Sequence, residues 1–284
     1  MSLRSLRNRV ITVVAVSAAL FAGGAAVAPA AIAAERGQNP TSSNIGGSGS
    51  YRTSSANVSR FSAIGFGGGT IYYPTDATDG PYPAVAISPG FTATWSSLSW
   101  LGPRLASWGI VVIGIETNTL LDQPGQRGDQ LLAALDYLTD RSSIRTRVDG
   151  NRLGVAGHSM GGGGTLEALS ERSSLRAGVP LAPWNLDTTW NEVDAPVMIV
   201  GGQADTIAPV ATHSIPFYTT LGGDKGYVEL SGGSHFFPQT PNANVSRAIV
   251  SWLKLNLDDD QRFAPFVCFN RSLSISDFRS RGVC

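Results

Sequence analysis

Short apolar runs rich in Val and Ile recur along the chain, at 70–73, 84–88, 110–115, 153–156, 177–181, 197–200 and 227–230. Most are continuous rather than alternating. That pattern predicts strands covered on both faces. Helical spacing appears between them. Residues 128–139 place Leu131, Leu132, Leu135 and Leu138 three and four apart, and 162–170 and 245–255 are the other clear candidates. Strands alternating with helices predict a mostly parallel central sheet flanked by helices. No internal repeat or interdomain linker interrupts the pattern, and the connecting segments are short. One α/β domain without a lid domain is expected.

The N-terminus departs from this pattern. Arg4, Arg7 and Arg9 precede an apolar run over 10–21 and a small-residue stretch through Ala34. That order predicts a secretory signal peptide, and Ala31-Ile32-Ala33 places the cut before Ala34. A membrane anchor is the weaker reading, because the strongly apolar part is shorter than the ~20 residues a span needs. Residues 1–33 are therefore expected to be a leader. Residues 34–57 are expected to be a flexible lead-in, since 38–50 is rich in Ser, Gly, Asn and Pro. The catalytic domain is expected over 58–284. The mature protein should be secreted, extracellular and free of the membrane.

Composition narrows the function. At 42% hydrophobic the 284-residue chain is too apolar to be disordered. Its 21 basic and 21 acidic residues give no reason to expect nucleic acid. Two Cys exclude a disulfide scaffold, an iron–sulfur protein and a four-cysteine zinc module. Export implies an oxidising compartment, where Cys268 and Cys284 are the only candidates for pairing. A bridge closing a loop of about 16 residues stabilises by roughly 3 kcal/mol in the chain-entropy model.

The chemistry is concentrated in a few segments. After the run at 153–156 comes Gly157-His158-Ser159-Met160-Gly161, a G-x-S-x-G pattern between strand and helix. A sharp turn there strains the serine backbone and exposes its hydroxyl. The following helix points its N-terminal amides at the reacting centre. A phosphate loop is the competing reading, but no G-K-[ST] follows. Ser159 is the expected nucleophile, and it needs a general base. His158 lies inside the turn, and His213 falls in an expected helix and reads as surface. His235 follows the strand at 227–230 in a small-residue loop, so it is the expected base. In the order Ser…Asp…His, Asp205, just past the strand at 197–200, is the expected orienting acid. Backbone N–H groups of Met160 and Phe91 are expected to form the oxyanion hole.

Taken together, GFGGGTIYYP (65–74), AISPGF (86–91), GHSMGGGGTL (157–166), LAPW (181–184), DTIAPV (205–210) and SHF (234–236) resemble the actinobacterial cutinases. These are polyester-degrading serine hydrolases that include poly(ethylene terephthalate) hydrolases. The resemblance runs from about Tyr51 to Cys284, and SDFRSRGVC (276–284) resembles the tail that carries the family's disulfide. It implies an α/β-hydrolase fold, with Ser159, Asp205 and His235 as the triad. It also implies that Phe91, Trp184 and Ile207 contact the acyl or aryl group of the substrate. No cofactor is implied. Several thermophilic members bind calcium through three surface carboxylates, but the matching positions here include Gln203 and Ser231, with Asp277 the one acid on offer. No metal is expected. The expected partner is a polymeric or small ester, and the chain is expected to act as a monomer. The alternative reading is a lipase or carboxylesterase for small or lipid acyl esters.

Overall fold

The computed structural model describes residues 35–284, so the expected leader lies outside the described residues. Nine strands form one sheet: β1 (Thr53–Val58), β2 (Gly69–Pro74), β3 (Tyr82–Ser88), β4 (Val111–Ile115), β5 (Val148–His158), β6 (Ala177–Leu181), β7 (Val197–Gly202), β8 (Lys225–Leu230) and β9 (Ile275–Arg281). Among the described residues six α-helices accompany them: α1 (Leu101–Ala106), α2 (Pro124–Asp140), α3 (Met160–Glu171), α4 (Ser214–Thr220), α5 (Ala243–Leu257) and α6 (Ala264–Val267). The order across the sheet is β1-β2-β4-β3-β5-β6-β7-β8-β9. The six central strands, β4 to β8 in that order, are parallel, while β1, β2 and β9 pair antiparallel at the margins.

The continuous apolar runs are explained by cover on both faces. Every residue of β3 and β4 is buried. Val85 and Ile87 face one core with Leu101 and Leu105 of α1 and Ile249 and Leu253 of α5. Ala84 and Ala86 face the other, with Leu131 and Leu135 of α2 and Leu166 of α3. The sheet is thus sandwiched between two helical layers, each burying one side of every central strand.

All seven strands and three helices read from the pattern are present, most of them longer than expected. The run at 153–156 grows into β5 because its first five residues, VDGNR, lie at the partly exposed start of the strand and carry no apolar signature. Two strands escaped the reading. β1 is TSSANV and β9 is ISDFRSR; both are edge strands, where polar and charged residues are the rule.

The lead-in requires a correction. From residue 35 onward, the stretch expected to be flexible is packed against the domain. Ile45 is buried in the core. Trp108 Nε1–H donates to the Gly47 carbonyl at 3.0 Å, and the Gly49 N–H donates to Ser107 Oγ at 2.8 Å. Tyr51 stands edge-on to Tyr82 with ring centroids 5.7 Å apart. The segment is polar because most of its contacts are hydrogen bonds, and two apolar anchors, Ile45 and Tyr51, dock it.

One feature of the topology positions the site. From β3 the chain goes to β4 on one side and then returns to β5 on the other. The carboxyl ends of β3 and β5 therefore diverge and leave a crevice between their loops, the usual place for a ligand in such sheets.

Candidate active site

β5 ends at His158 and α3 begins at Met160, so Ser159 makes the whole turn. Its backbone sits at φ 57°, ψ −121°, a conformation costing a non-glycine residue about 1–3 kcal/mol. The flanking glycines make this possible. A Cβ on Gly157 would lie 2.2 Å from the Gly161 carbonyl oxygen, and one on Gly161 only 2.3 Å from the Ser88 oxygen. The backbones cross too closely for any side chain. The turn is pinned by Ser159 N–H donating to Leu181 O at 3.0 Å and by Trp184 N–H donating to Ser159 O at 2.9 Å.

Loops after β7 and β8 bring the other two polar groups to the same edge. His235 Nε2 lies 2.8 Å from Ser159 Oγ, and His235 Nδ1 lies 2.7 Å from Asp205 Oδ2. All three residues are buried. The second carboxylate oxygen of Asp205 accepts the N–H groups of Ile207 at 2.9 Å and Ala208 at 2.8 Å. Burial opposes ionisation of Asp205. The bonds from His235 and these amides outweigh it and hold the carboxyl below its ordinary range. An ionised Asp205 requires the proton on Nδ1, which leaves the Nε2 lone pair facing the serine hydroxyl.

His158, which the sequence left without a role, supports the base from behind. Its Nε2 is 2.8 Å from the His235 carbonyl oxygen. A carbonyl only accepts, so Nε2 carries the proton and Nδ1, which has no partner, is bare. Burial, reinforced by His235 close by, lowers His158 to about 4 and keeps it neutral.

The loop after β3 closes the other side. The N–H groups of Phe91 and Met160 have no acceptor among the described residues. A Cβ on Gly90 would come within 3.0 Å of Ser159 Cβ, so glycine lets the loop approach the serine. Arg127 of α2 anchors this loop. Fully buried, it donates to the carbonyls of Pro89 at 3.0 Å, Leu120 at 3.1 Å and Asp122 at 2.8 Å. Burial lowers its pKa to about 10, so it stays cationic at neutral pH.

These residues enclose a cleft of about 210 Å³. Phe91 and Ile207 line it, as do Phe236 and Gln239, which the sequence reading did not single out. The signal for Phe236 was its place beside His235. Trp184 does not line the cleft. Its ring stacks on His213, centroids 6.2 Å apart. His213 is accordingly half-buried rather than a surface residue, and it precedes α4 rather than lying within it. No separate domain covers the cleft among the described residues, and the connection 182–196 holds no helix. The residues at the family's calcium position do not fit the ion. Gln203 Oε1 is engaged by the Gly232 N–H at 2.9 Å, and Asp277 is held by Arg271 at 2.6 Å and Arg279 at 2.9 Å. Cys268 and Cys284 are joined in a disulfide.

A mostly parallel sheet with helices on both faces, carrying Ser, Asp and His in that chain order on loops at its carboxyl edge, is an α/β hydrolase. Within that class the chain belongs to the PET hydrolase-like family, whose model matches residues 28–284. It is similar to a bis(hydroxyethyl) terephthalate hydrolase of Streptomyces coelicolor, 53% identical over 98% of this chain and 92% of that protein. It is also similar to a cutinase of Thermobifida fusca, 49% identical over 93% and 90% of the two chains. Cutinase 1 of Thermobifida cellulosilytica is 52% identical over 82% of this chain and 90% of its own. The chain is a carboxylic ester hydrolase.

Proposed function

We propose that the chain is a secreted serine esterase that cleaves the ester bonds of polyesters, acting as a monomer without a cofactor after loss of residues 1–33. The observation that carries this reading is the unbroken relay from Ser159 Oγ to His235 to Asp205, at 2.8 and 2.7 Å, beside two unpaired amides. In the first step Ser159 Oγ attacks the ester carbonyl carbon while His235 Nε2 takes its proton. The oxyanion lies against the N–H groups of Phe91 and Met160. The C–O bond to the alcohol then breaks, His235 returns the proton to the leaving oxygen, and the acyl group stays on Ser159. In the second step water gives its proton to His235 and attacks the acyl carbon; the bond from that carbon to Ser159 Oγ then breaks, His235 returns the proton to Oγ, and the acid leaves. Asp205 keeps the imidazole in the working tautomer and stabilises its charged form.

Phe91 and Ile207 offer apolar walls to an aryl or alkyl unit, and Trp184 is assigned to the same contact when a longer chain extends past the cleft. The PET hydrolase-like family and a relative named for cutin support aromatic and aliphatic polyesters, and a relative named for a small terephthalate diester supports an aromatic acyl group. The disulfide supports export. One observation favours a second reading. A cleft of about 210 Å³ suits a short soluble ester as well as a polymer segment. Product release from an aromatic polyester film, from cutin, from triolein and from short p-nitrophenyl esters separates the two. Turnover of the soluble esters alone, with no release from film or cutin, would overturn the polyester reading. Labelling by a fluorophosphonate that persists in Ser159→Ala would overturn the nucleophile.

A further inference from the structure

Large hydrophobic side chains that stand exposed in a folded chain are ordinarily scattered. Here they are not. Phe91, Ile207 and Phe236 rim the cleft, and six others lie outside it. Those six are Phe61 and Ile64 between β1 and β2, Leu120 and Leu121 after β4, Leu186 after β6 and Leu273 before β9. The topology places Phe61, Leu120, Leu121 and Leu273 at the edge of the sheet that holds the cleft. Ile64 instead lies along α2 beside Asp136 and Asp140, and Leu186 lies on the flank between Asn185, bonded to Glu167 of α3, and Thr188, bonded to Thr220 at the end of α4. β4, β6, β7 and β8 all end at the edge that holds Ser159. β2 is antiparallel to β4, so the β1–β2 connection turns at that same edge. Gly67 N–H donates to Glu116 O and Glu116 N–H to Gly68 O, both at 2.8 Å, which ties that loop to the end of β4. On the far side β9 is antiparallel to β8, and Ser231 N–H donates to Ser274 O at 3.1 Å. The opposite edge carries no exposed large hydrophobic among the described residues.

We propose that the whole carboxyl edge of the sheet, on the order of 40 Å across nine strands, is an adsorption face for a solid, uncharged, apolar polymer, with the cleft at its centre. This rests on the polyester reading and extends it from one ester group to the surface that contains it. Phe61 and Leu273 are fully exposed and pack on nothing, so the fold does not account for them. They stand at the two ends of the edge, Phe61 between Arg60 and Ser62 and Leu273 between Ser272 and Ser274, with one further basic residue, Arg271, close to Leu273. Single apolar side chains set far apart on polar loops gain little from a small ligand. A flat solid engages all of them at once. A lipid surface is the poorer fit. It favours a contiguous apolar helix face within a cluster of basic residues, whereas these side chains sit on separate loops, with single basic residues, Arg60 and Arg271, near Phe61 and Leu273, and 18 basic residues face 21 acidic ones from Ala34 onward. A second copy of the chain seated here would close the cleft to substrate.

The test measures binding apart from chemistry. Adsorption of the Ser159→Ala protein to an amorphous aromatic polyester film is read by depletion, with and without Phe61→Ser and Leu273→Ser added together. The expected result is about tenfold weaker adsorption, from the loss of two apolar contacts. In the active enzyme the same pair should leave turnover of a soluble p-nitrophenyl ester unchanged and slow film hydrolysis at low enzyme concentration. Phe61→Leu with Leu273→Phe should restore adsorption. An unchanged isotherm, while the film is still hydrolysed, overturns the adsorption face. Failure of the polyester reading shows differently, as soluble-ester turnover with no release from film by the parent enzyme. If the serine pair abolishes binding to phosphatidylcholine vesicles but not to film, or shifts a monomer–dimer equilibrium in sedimentation, the face belongs to another partner and the proposal falls.

Discussion

At the edge where β3, β5, β7 and β8 end, the backbone is bent into the Ser159 turn, two amides lack acceptors and most of the large exposed hydrophobics stand. At the edge where the same strands begin, cations close the ends of the fold. Arg147 donates to the carbonyls of Pro74, Thr75 and Asp76. Arg152 bridges Asp149 and Asp258 and reaches the Pro81 carbonyl. Lys254 pairs with Asp258, both side chains only 1% exposed. Arg281 donates to the carbonyls of Gly222 and Gly223. One edge holds strain and unmatched groups, and the other satisfies orphan carbonyls and carboxylates. Substitutions at the first should therefore show mainly in turnover, and at the second mainly in stability.

The largest expected effect is at the first edge. Ser159→Ala should lower ester turnover by about 10⁶-fold, leaving only binding and the two amides to act. Its melting temperature should not fall, because the change removes no packing. Retention of a tenth of the activity would break the contrast at its centre. At the other edge, Asp258→Ala leaves Lys254 buried and Arg152 short of a partner. It should cost about 3–5 kcal/mol in urea unfolding, while turnover per folded molecule at low temperature stays unchanged.

His158 lies on the boundary between the two regimes, and pH exposes it. Its native value of about 4 is below that of an unfolded histidine, near 6.5. The unfolded state therefore takes up the proton first as pH falls. The associated stability is whole above pH 6.5, declines between 6.5 and 4, and amounts to about 3 kcal/mol. In His158→Phe, unfolding measured across that window should lack this portion of the decline. An identical pH slope in the variant would show that another group is responsible. Cys268→Ser with Cys284→Ser should cost roughly 3 kcal/mol and leave initial rates at low temperature alone. Two reactive thiols in the native protein would contradict the bridge.

The smallest effect sharpens the comparison most. Arg127 resembles the cations of the stability edge, since all its bonds go to carbonyls, yet one of those carbonyls, Pro89, belongs to the loop that presents Phe91 N–H. Arg127→Lys keeps the charge but loses the fork. It should lower kcat by about tenfold with little change in KM, as for an interaction made only in the transition state. A rise in KM with kcat unchanged would place Arg127 with the structural cations instead.

How much of this the sequence disclosed follows from where the determinants lie. The central strands were legible because cover on both faces writes an unbroken apolar run, as in AVAIS at 84–88. The turn at Ser159 was legible because its glycines are demanded by backbone contacts within the motif and to the neighbouring strand. Asp205 and His235 were readable as polar groups just past strand ends. β1 and β9 were not, because edge strands with one wet side look like loops. The docking of residues 35–57 depends on acceptors such as Ser107 that no local pattern reveals. Arg127 serves three carbonyls from two separate segments, and a lone arginine on a helix gives no sign of it. The stacking of Trp184 on His213, 29 residues later in the sequence, is likewise a product of folding rather than spacing.

The bridge between Cys268 and Cys284 has a consequence for how the sheet comes apart. β9 is bonded to β8 on one side only, and the bridge closes a ring that contains the whole of β9. An unbridged edge strand frays residue by residue from either end. Within the ring both ends of β9 are held near each other, so the strand leaves the sheet by opening as a loop, which requires several hydrogen bonds to break together. Loss of this edge is thereby a concerted event rather than a gradual peeling.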